Sequence, residues 1–241
     1  HTLANLLKES GDIASAVAHY QQALALDPTN YPGLGSAVTL AILAYLQGEH
    51  ARALLLLQQA ATLADKRDGP FGPSRVYWIY LNALLDFYRQ FTPPDVQPDG
   101  WLEVFGESHS LSVHGVVLPL RGQWRRARSH WIEGCKLWHL GRPQDNKYQQ
   151  QFRHGMAALP AGSEVLVCIG EIDCRWDAPI MQRVQEVGQC AALARATIVP
   201  ALDFIAAQAA SGGHHLIMSG VPATRAALPA DAEIQTRFLV M

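Results

Sequence analysis

The stretch Trp101-Leu102-Glu103-Val104-Phe105-Gly106-Glu107-Ser108-His109-Ser110 decides the fold of the second half of the chain. Its first five residues form a short, mainly apolar run that is typical of a buried β-strand, and polar residues follow directly. A second stretch has the same order, because Val165-Leu166-Val167-Cys168-Ile169 precedes Gly170-Glu171-Ile172-Asp173-Cys174-Arg175. Loops after parallel strands meet at one edge of a sheet, so we expect both polar segments to face the same crevice.

The region from residue 101 onward alternates between strand and helix patterns, which predicts an α/β fold with a parallel sheet. We expect strands near Leu102–Phe105, Glu164–Ile169 and Leu216–Ser219. We expect helices near Trp124–Trp131, Ile180–Ala196 and Asp203–Ala210. The segment Val116–Leu120 is ambiguous between a strand and a loop.

The first 65 residues contain an internal repeat with a displacement of 37 residues. Gly11 and Gly48 correspond, as do Tyr20 and Leu57. The alanine pairs are Ala16 with Ala53 and Ala23 with Ala60. Glycines at this spacing predict tight turns between paired helices, while the alanines allow neighbouring helices to approach closely.

The string from Gly11 to Pro28 resembles the second helix of a tetratricopeptide repeat, a family with a 34-residue period. The three extra residues fall in or before a helix over about Leu34–Leu46. Arg75–Gln90 would be the capping helix of this domain. We therefore predict a helical repeat domain over 1–92, a proline-rich linker over 93–100 and an α/β domain over 101–241.

The segment Phe105-Gly106-Glu107-Ser108 resembles the first block of the GDSL/SGNH hydrolases, with Glu107 in place of the usual aspartate. Gly170-Glu171-Ile172-Asp173 resembles the Gly-x-Asn-Asp block of the same family. The resemblance implies a three-layer α/β fold in which Ser108 is the nucleophile. It also implies that an oxyanion donor comes from Gly141, with Gly134 as the alternative.

Ile172 stands where the family has an oxyanion asparagine, so Asp173 or Arg175 would have to compensate. We expect a substrate-binding role for the motif residues and their neighbours, namely Glu107, His109, His114, Gly170, Glu171 and Arg175. The family's general base comes from an Asp-x-x-His block near the carboxyl end of the domain. No such block follows Ile198, so we expect the domain to be incomplete, with a helix beginning within Ile234–Met241.

Two features have simpler interpretations. Ser108 alone could merely cap a following helix. Trp124, Trp131 and Trp138 recur every seven residues, which on a single helix would make a buried aromatic stripe and, less readily, a platform for a glycan.

Composition excludes several function classes. The net charge of −2 argues against nucleic-acid binding, and we expect no membrane span because no continuous apolar stretch is long enough. The four cysteines lack metal-ligand spacing, so we expect no metal or cofactor and a cytoplasmic location.

The first hypothesis is a serine esterase acting on O-acylated carbohydrate. Its helical repeats would bind a peptide or protein in their groove. The alternative is a non-catalytic interaction protein whose α/β domain only binds a ligand. The changes at Glu107 and Ile172 favour this alternative.

Overall fold

The computed structural model describes residues 1–27, 31–64, 72–90, 96–175 and 178–220. Contacts within the chain separate two compact units, His1–Asp95 and Val96–Met241. The helix expected to begin within 234–241 lies outside the described residues, as do residues 91–95, which hold the start of the predicted linker.

The first unit consists of helices that follow one another in pairs. They are α1 (Thr2–Glu9), α2 (Ile13–Leu26), α3 (Tyr31–Leu46), α4 (His50–Ala64) and α5 (Gly72–Gln90). Gly11 and Gly48 follow the first helix of each pair with φ angles of 89° and 77°. Only glycine adopts this backbone readily, which explains why it recurs at both turns.

Small and large side chains alternate between the repeat helices as the displacement of 37 predicts. Ala16 and Ala53 are fully buried, whereas Ala23 is half-buried. Tyr20 and Leu57, the corresponding large residues, are also buried. The alanines let the helix backbones approach, and the large side chains fill the remaining space.

The second unit contains five strands and five α-helices among the described residues. The strands are β1 (Gly100–Gly106), β2 (Val117–Leu120), β3 (Gln123–Trp131), β4 (Glu164–Cys168) and β5 (His215–Met218). The helices are α6 (Ser108–Leu111), α7 (Leu137–Leu140), α8 (Lys147–Ala157), α9 (Pro179–Val187) and α10 (Cys190–Ser211). The expected strands at β1, β4 and β5 are thus present.

The strands form one sheet in the order β2-β3-β1-β4-β5. The pairs β1–β3, β1–β4 and β4–β5 are parallel, and only the edge strand β2 is antiparallel to its neighbour. The mixed α/β class with a mostly parallel sheet is therefore confirmed. The ambiguous segment Val116–Leu120 forms the antiparallel edge strand.

The predicted helix over Trp124–Trp131 is wrong, because these residues lie in β3. Ala127 and Ser129 are buried on one face of the strand, a two-residue period that the regular tryptophan spacing obscured. Trp138 lies in α7, so the three tryptophans do not form one helical stripe.

The expected helices Ile180–Ala196 and Asp203–Ala210 have different bounds in the structure. α9 ends at Val187, where Gly188 adopts a left-handed φ of 66°. α10 then continues without interruption to Ser211, with Pro200 inside it. Ala201, Ile205 and Ala209, which follow Pro200 in α10, pack in the core on the sheet.

One face of the sheet carries the main core of the second unit. Phe105 and Val167 on the strands pack with Phe152 of α8 and with Ile205 of α10. The Phe105 ring also stacks on His130 with the centroids 4.4 Å apart. Phe105 is fully buried, so the central strand is anchored through this ring.

Gly155→Ala should test this anchor. A Cβ at Gly155 would lie 2.6 Å from Cε1 of Phe105, whose ring is held by His130 and Phe152. We expect the substitution to lower the free energy of unfolding by about 1–3 kcal/mol, although alanine is the better helix former. Chemical denaturation measures the change.

His154→Ala provides the matched control, because His154 is the exposed neighbour in the same helix. It should leave stability nearly unchanged. A Gly155→Ala protein as stable as the control would contradict the packing argument.

Candidate functional site

The loops after β1 and β4 lie side by side at the carboxyl edge of the sheet. The two strands are parallel neighbours, and Gly106 pairs with Cys168 at their ends. The chain places β3 on one side of β1 and then β4 and β5 on the other, so the strand order reverses between β1 and β4. Open α/β sheets bind ligands in the crevice at such a switch point. Both sequence motifs flank it.

Ser108 begins the short helix α6 directly after β1. Its Oγ donates a hydrogen bond of 2.8 Å to Oε2 of Glu107, and the backbone N–H of His109 donates to the same oxygen at 2.9 Å. Glu107 is 1% exposed. The serine hydroxyl is therefore held through its proton by a buried carboxylate.

The imidazole of His109 lies against the same carboxylate. Nδ1 of His109 is 2.8 Å from Oε1 of Glu107, and the His109 side chain is 36% exposed. Because Nδ1 is engaged by Glu107, Nε2 is the ring nitrogen that another molecule can reach. A carboxylate that fixes one imidazole nitrogen and leaves the other accessible is a common arrangement for proton transfer.

The contact between Glu107 and His109 shifts both pKa values. Burial acts to raise the pKa of Glu107, but the hydrogen bonds from His109 and Ser108 outweigh burial and hold the pKa below its ordinary value. The hydrogen bond to Glu107 raises the pKa of His109, against a smaller opposing effect of burial. The pair therefore favours a carboxylate beside an imidazolium.

Glu171 and Arg175 form a second ion pair in the loop after β4. Nε of Arg175 lies 2.9 Å from Oε2 of Glu171, and Nη2 lies 2.7 Å from the same oxygen. Glu171 is buried, whereas Arg175 is exposed. Both charges act on His109, the carboxylate raising its pKa and the guanidinium lowering it. The structure thus brings Glu107, Ser108, His109, Glu171 and Arg175 into one electrostatic cluster.

Three residues of this cluster carry potential metal-ligand atoms. One such atom from each of Glu107, His109 and Glu171 lies within 4.8 Å of the others. Both carboxylates already accept hydrogen bonds, Glu171 from Arg175 and Glu107 from its neighbours. A cation at this position would compete with Arg175 for Glu171.

Asp173 occupies a different position from the Glu107 cluster. It is 4% exposed and accepts hydrogen bonds from the backbone N–H groups of Leu137 at 2.8 Å and Trp138 at 3.2 Å. Burial raises the pKa of Asp173 to about 6, opposed by these two hydrogen bonds. In the described structure Asp173 therefore attaches the loop after β4 to the start of α7.

Gly141 lies at the end of α7. Its backbone N–H donates to the carbonyl of Leu137 at 2.9 Å, so the expected oxyanion donor is engaged in the helix end. A Cβ at Gly141 would lie 3.0 Å from the backbone nitrogen of Ala201, which shows that glycine permits close contact with α10. The alternative, Gly134, has a φ of 69° and lies in the turn before α7.

His114 and Gly170 have structural surroundings of their own. Nδ1 of His114 accepts the backbone N–H of Ser129 at 3.1 Å, which directs this ring nitrogen to β3. Gly170 is buried with a φ of 135°, a backbone conformation that directs the chain away from β4.

Two serines that the sequence pattern did not single out support the Ser108 loop. Ser110 donates to the carbonyl of Glu107 at 2.8 Å, and Ser129 donates to Ser110 at 2.7 Å. Ser110 lies within the first motif, so its place in the chain already indicated that it could contact the Ser108 loop. The sequence did not indicate a role for Ser129, because the pattern over Trp124–Trp131 predicted a helix.

α10 is long and apolar enough to cross a membrane by length and composition alone. It is the one such helix among the described residues, and this is weak support for a span. Ala201, Ile205 and Ala209 of α10 lie in the core that covers the sheet, and 22% of its apolar window is buried.

The comparisons with known proteins concern the first unit. Residues 1–30 match the family model of the tetratricopeptide repeat. No curated protein and no solved structure matches the chain significantly. The repeat expected from Gly11 to Pro28 is thus supported, while the resemblance of the α/β unit to SGNH hydrolases still rests on its two motifs.

Asp173→Asn should alter the pH dependence of stability. The pKa of Asp173 rises from 3.8 to about 6 in the folded chain, so ionisation of this group opposes folding. The stability that protonated Asp173 contributes to the folded chain is fully present below about pH 4 and is lost as the pH rises through about 6. Relative to Asp173→Asn, the free energy of unfolding of the original chain should fall by about 3 kcal/mol over this window.

Denaturant unfolding at a series of pH values measures this difference. Asp203→Asn is the control, since Asp203 is exposed on α10. A difference between Asp173→Asn and the original chain that does not vary with pH would disprove the burial effect.

Proposed function

We propose that the α/β unit is an SGNH-like serine hydrolase that cleaves acyl esters. The observation that carries this proposal is the 2.8 Å hydrogen bond from Ser108 Oγ to Glu107 at the switch point of the sheet. A serine hydroxyl needs an adjacent base to become a nucleophile, and the carboxylate of Glu107 is within reach of its proton.

The reaction would divide the proton transfers between two residues. Ser108 Oγ attacks the ester carbonyl while its proton passes to Glu107. His109, protonated at Nε2, then donates a proton to the departing alcohol oxygen, and an acyl-serine forms. Water hydrolyses this ester, and the same two groups reverse their roles to restore the site.

The electrostatics of the cluster suit the role of His109. The raised pKa of His109 keeps the imidazole protonated closer to neutral pH, as an acid requires. The positive charge of Arg175, which is paired with Glu171 and acts on His109, would also favour the negative charge of a tetrahedral intermediate. The family's Asp-x-x-His base is not needed in this scheme, because Glu107 takes the proton.

The helical unit supports a second function, binding of a protein segment. Tetratricopeptide repeats suggest a protein-binding scaffold, and a groove of about 640 Å³ lies between α2 and α4. Leucines dominate its lining, and Leu55 is 61% exposed. We propose that an apolar protein segment occupies this groove and that the α/β unit acts on an O-acylated carbohydrate carried by the partner.

Ser108→Ala should abolish ester hydrolysis. Removing the nucleophile should reduce kcat/KM for p-nitrophenyl acetate by at least about 100-fold. Ser112→Ala is the control, because Ser112 is an exposed serine four residues away whose hydroxyl donates to the carbonyl of His109. Equal rates for the original chain and Ser108→Ala would reject the hydrolase and leave the binding function.

His109→Gln should separate the two proton transfers. For an acetylated sugar, whose alcohol needs a proton to depart, we expect kcat to fall by about 10²–10⁴-fold. For p-nitrophenyl acetate, whose leaving group needs none, the rate of acylation, measured from the first-turnover burst of p-nitrophenolate, should change only within a few-fold.

The pH profile gives an independent test of His109. With the acetylated sugar, kcat of the original chain should fall as the pH rises through the raised pKa of His109. This fall of kcat with rising pH should be absent in His109→Gln. Equal losses of the acylation rate on both esters would contradict the role of His109 as an acid.

Leu55→Asp should test the groove. Peptides selected on the full chain by phage display should lose binding to this variant, since a charge would enter an apolar contact. They should still bind Leu3→Asp, which alters an exposed leucine of α1. Selected peptides that bind Leu55→Asp unchanged would place the contact elsewhere.

A further inference from the structure

A separate cavity of about 430 Å³ opens between α7 and α9 in the second unit. The side chains used in this argument are those of Lys136, Trp138, His139, Arg142, Asp173 and Arg183. The volume lies within the range of small-molecule sites and suits a ligand the size of a monosaccharide. Glu107, Ser108 and His109 are not among its lining residues.

Trp138 provides a flat apolar surface at this cavity. It is 43% exposed, and the guanidinium of Arg142 lies 4.5 Å from the centroid of its ring. The ring of His139 meets the indole edge-on, with the centroids 5.3 Å apart. A planar indole held in this way can pack against the C–H face of a sugar ring.

The charges around the cavity favour an anion. Lys136, Arg142 and Arg183 are cationic, and the acidic lining residues are Asp173 and Glu186. The carboxylate of Asp173 accepts two backbone N–H groups at the start of α7, which offset its charge. Guanidinium groups bind carboxylates and phosphates in a two-point geometry.

His139 adds no charge to the cavity near neutral pH. Burial lowers the pKa of His139 to about 4, so the imidazole is neutral. Its Nδ1 accepts the backbone N–H of Lys136, and its ring stacks on Tyr148 with the centroids 3.9 Å apart. These contacts hold the α7 segment in place beside the indole of Trp138.

We infer that this cavity binds an anionic sugar, with the sugar ring on Trp138 and the anionic group on Arg142 and Arg183. This binding does not depend on hydrolysis at Ser108, and Ser108→Ala should bind the same sugar with the same affinity. The carboxylate of a uronic acid and the phosphate of a sugar phosphate both match the two guanidinium groups.

Indole N–H signals in a ¹H–¹⁵N correlation spectrum of the full chain can test the site. The chain has six tryptophans, and the signal missing in Trp138→Phe identifies Trp138. Glucuronate or glucose 6-phosphate should shift this signal saturably in the millimolar range. The compound that binds more tightly shows whether the site prefers a carboxylate or a phosphate. Glucose should bind at least ten times more weakly. The proposal fails if neither anion shifts the signal or if glucose binds equally well.

The double variant Arg142→Gln/Arg183→Gln should weaken binding of the stronger anion at least tenfold. The other indole signals show whether the double variant folds. If the double variant does not fold, the single variant Arg183→Gln is used in its place. Arg195→Gln, an exposed position on α10, should bind as the original chain does. Unchanged binding by the cavity variant, or an equal loss in Arg195→Gln, would overturn the inference.

Discussion

The close approach of two strands at Gly106 determines where the chemistry of the second unit can lie. A Cβ at this position would be 2.5 Å from the carbonyl oxygen of Cys168, so no other residue fits without moving β1 or β4. Because Gly106 and Cys168 are paired at the ends of the strands, the following loops leave the sheet together. Glu107 and Glu171 then lie close enough for both carboxylates to act on one imidazole.

Three buried carboxylates in the described part of this unit are paired with basic side chains. Glu107 is paired with His109, Glu171 with Arg175, and Glu103 with Arg128 and His130. An unpaired buried charge would be very costly, so these pairs impose specific partners on the loops and on β3. Asp173 is the exception, since backbone N–H groups satisfy it, and its pKa is raised as a result of burial. The site is therefore a set of mutually dependent charges rather than one isolated serine.

The first unit follows a different principle, in which neighbouring helices supply most of the packing. Ala4, Ala16 and Tyr20 of the first pair share a cluster with Leu40 and Leu43 of α3. Contacts of this kind are local along the chain, so a repeat scaffold can change its exposed side chains without altering its fold. The groove between α2 and α4 is such a surface.

The sequence by itself determined the features that depend on neighbouring residues. The 37-residue repeat predicted the helix pairs, the apolar runs predicted β1 and β4, and the motif after β1 pointed to Ser108. Glu107, Ser108 and His109 could be associated in advance because they are adjacent in the chain. The regular spacing of Trp124 and Trp131 gave a wrong helix, since pairing with β1 decided that segment.

Only the tertiary structure decided the relations between distant residues. Asp173 reaches Leu137 and Trp138, Gly141 packs on α10, and Arg142 joins Arg183 at one cavity. Each contact depends on how the segments between the strands place α7 and α9 against their neighbours in the fold. Local propensity carries no information about that placement, because it results from burying apolar surface on the sheet as a whole.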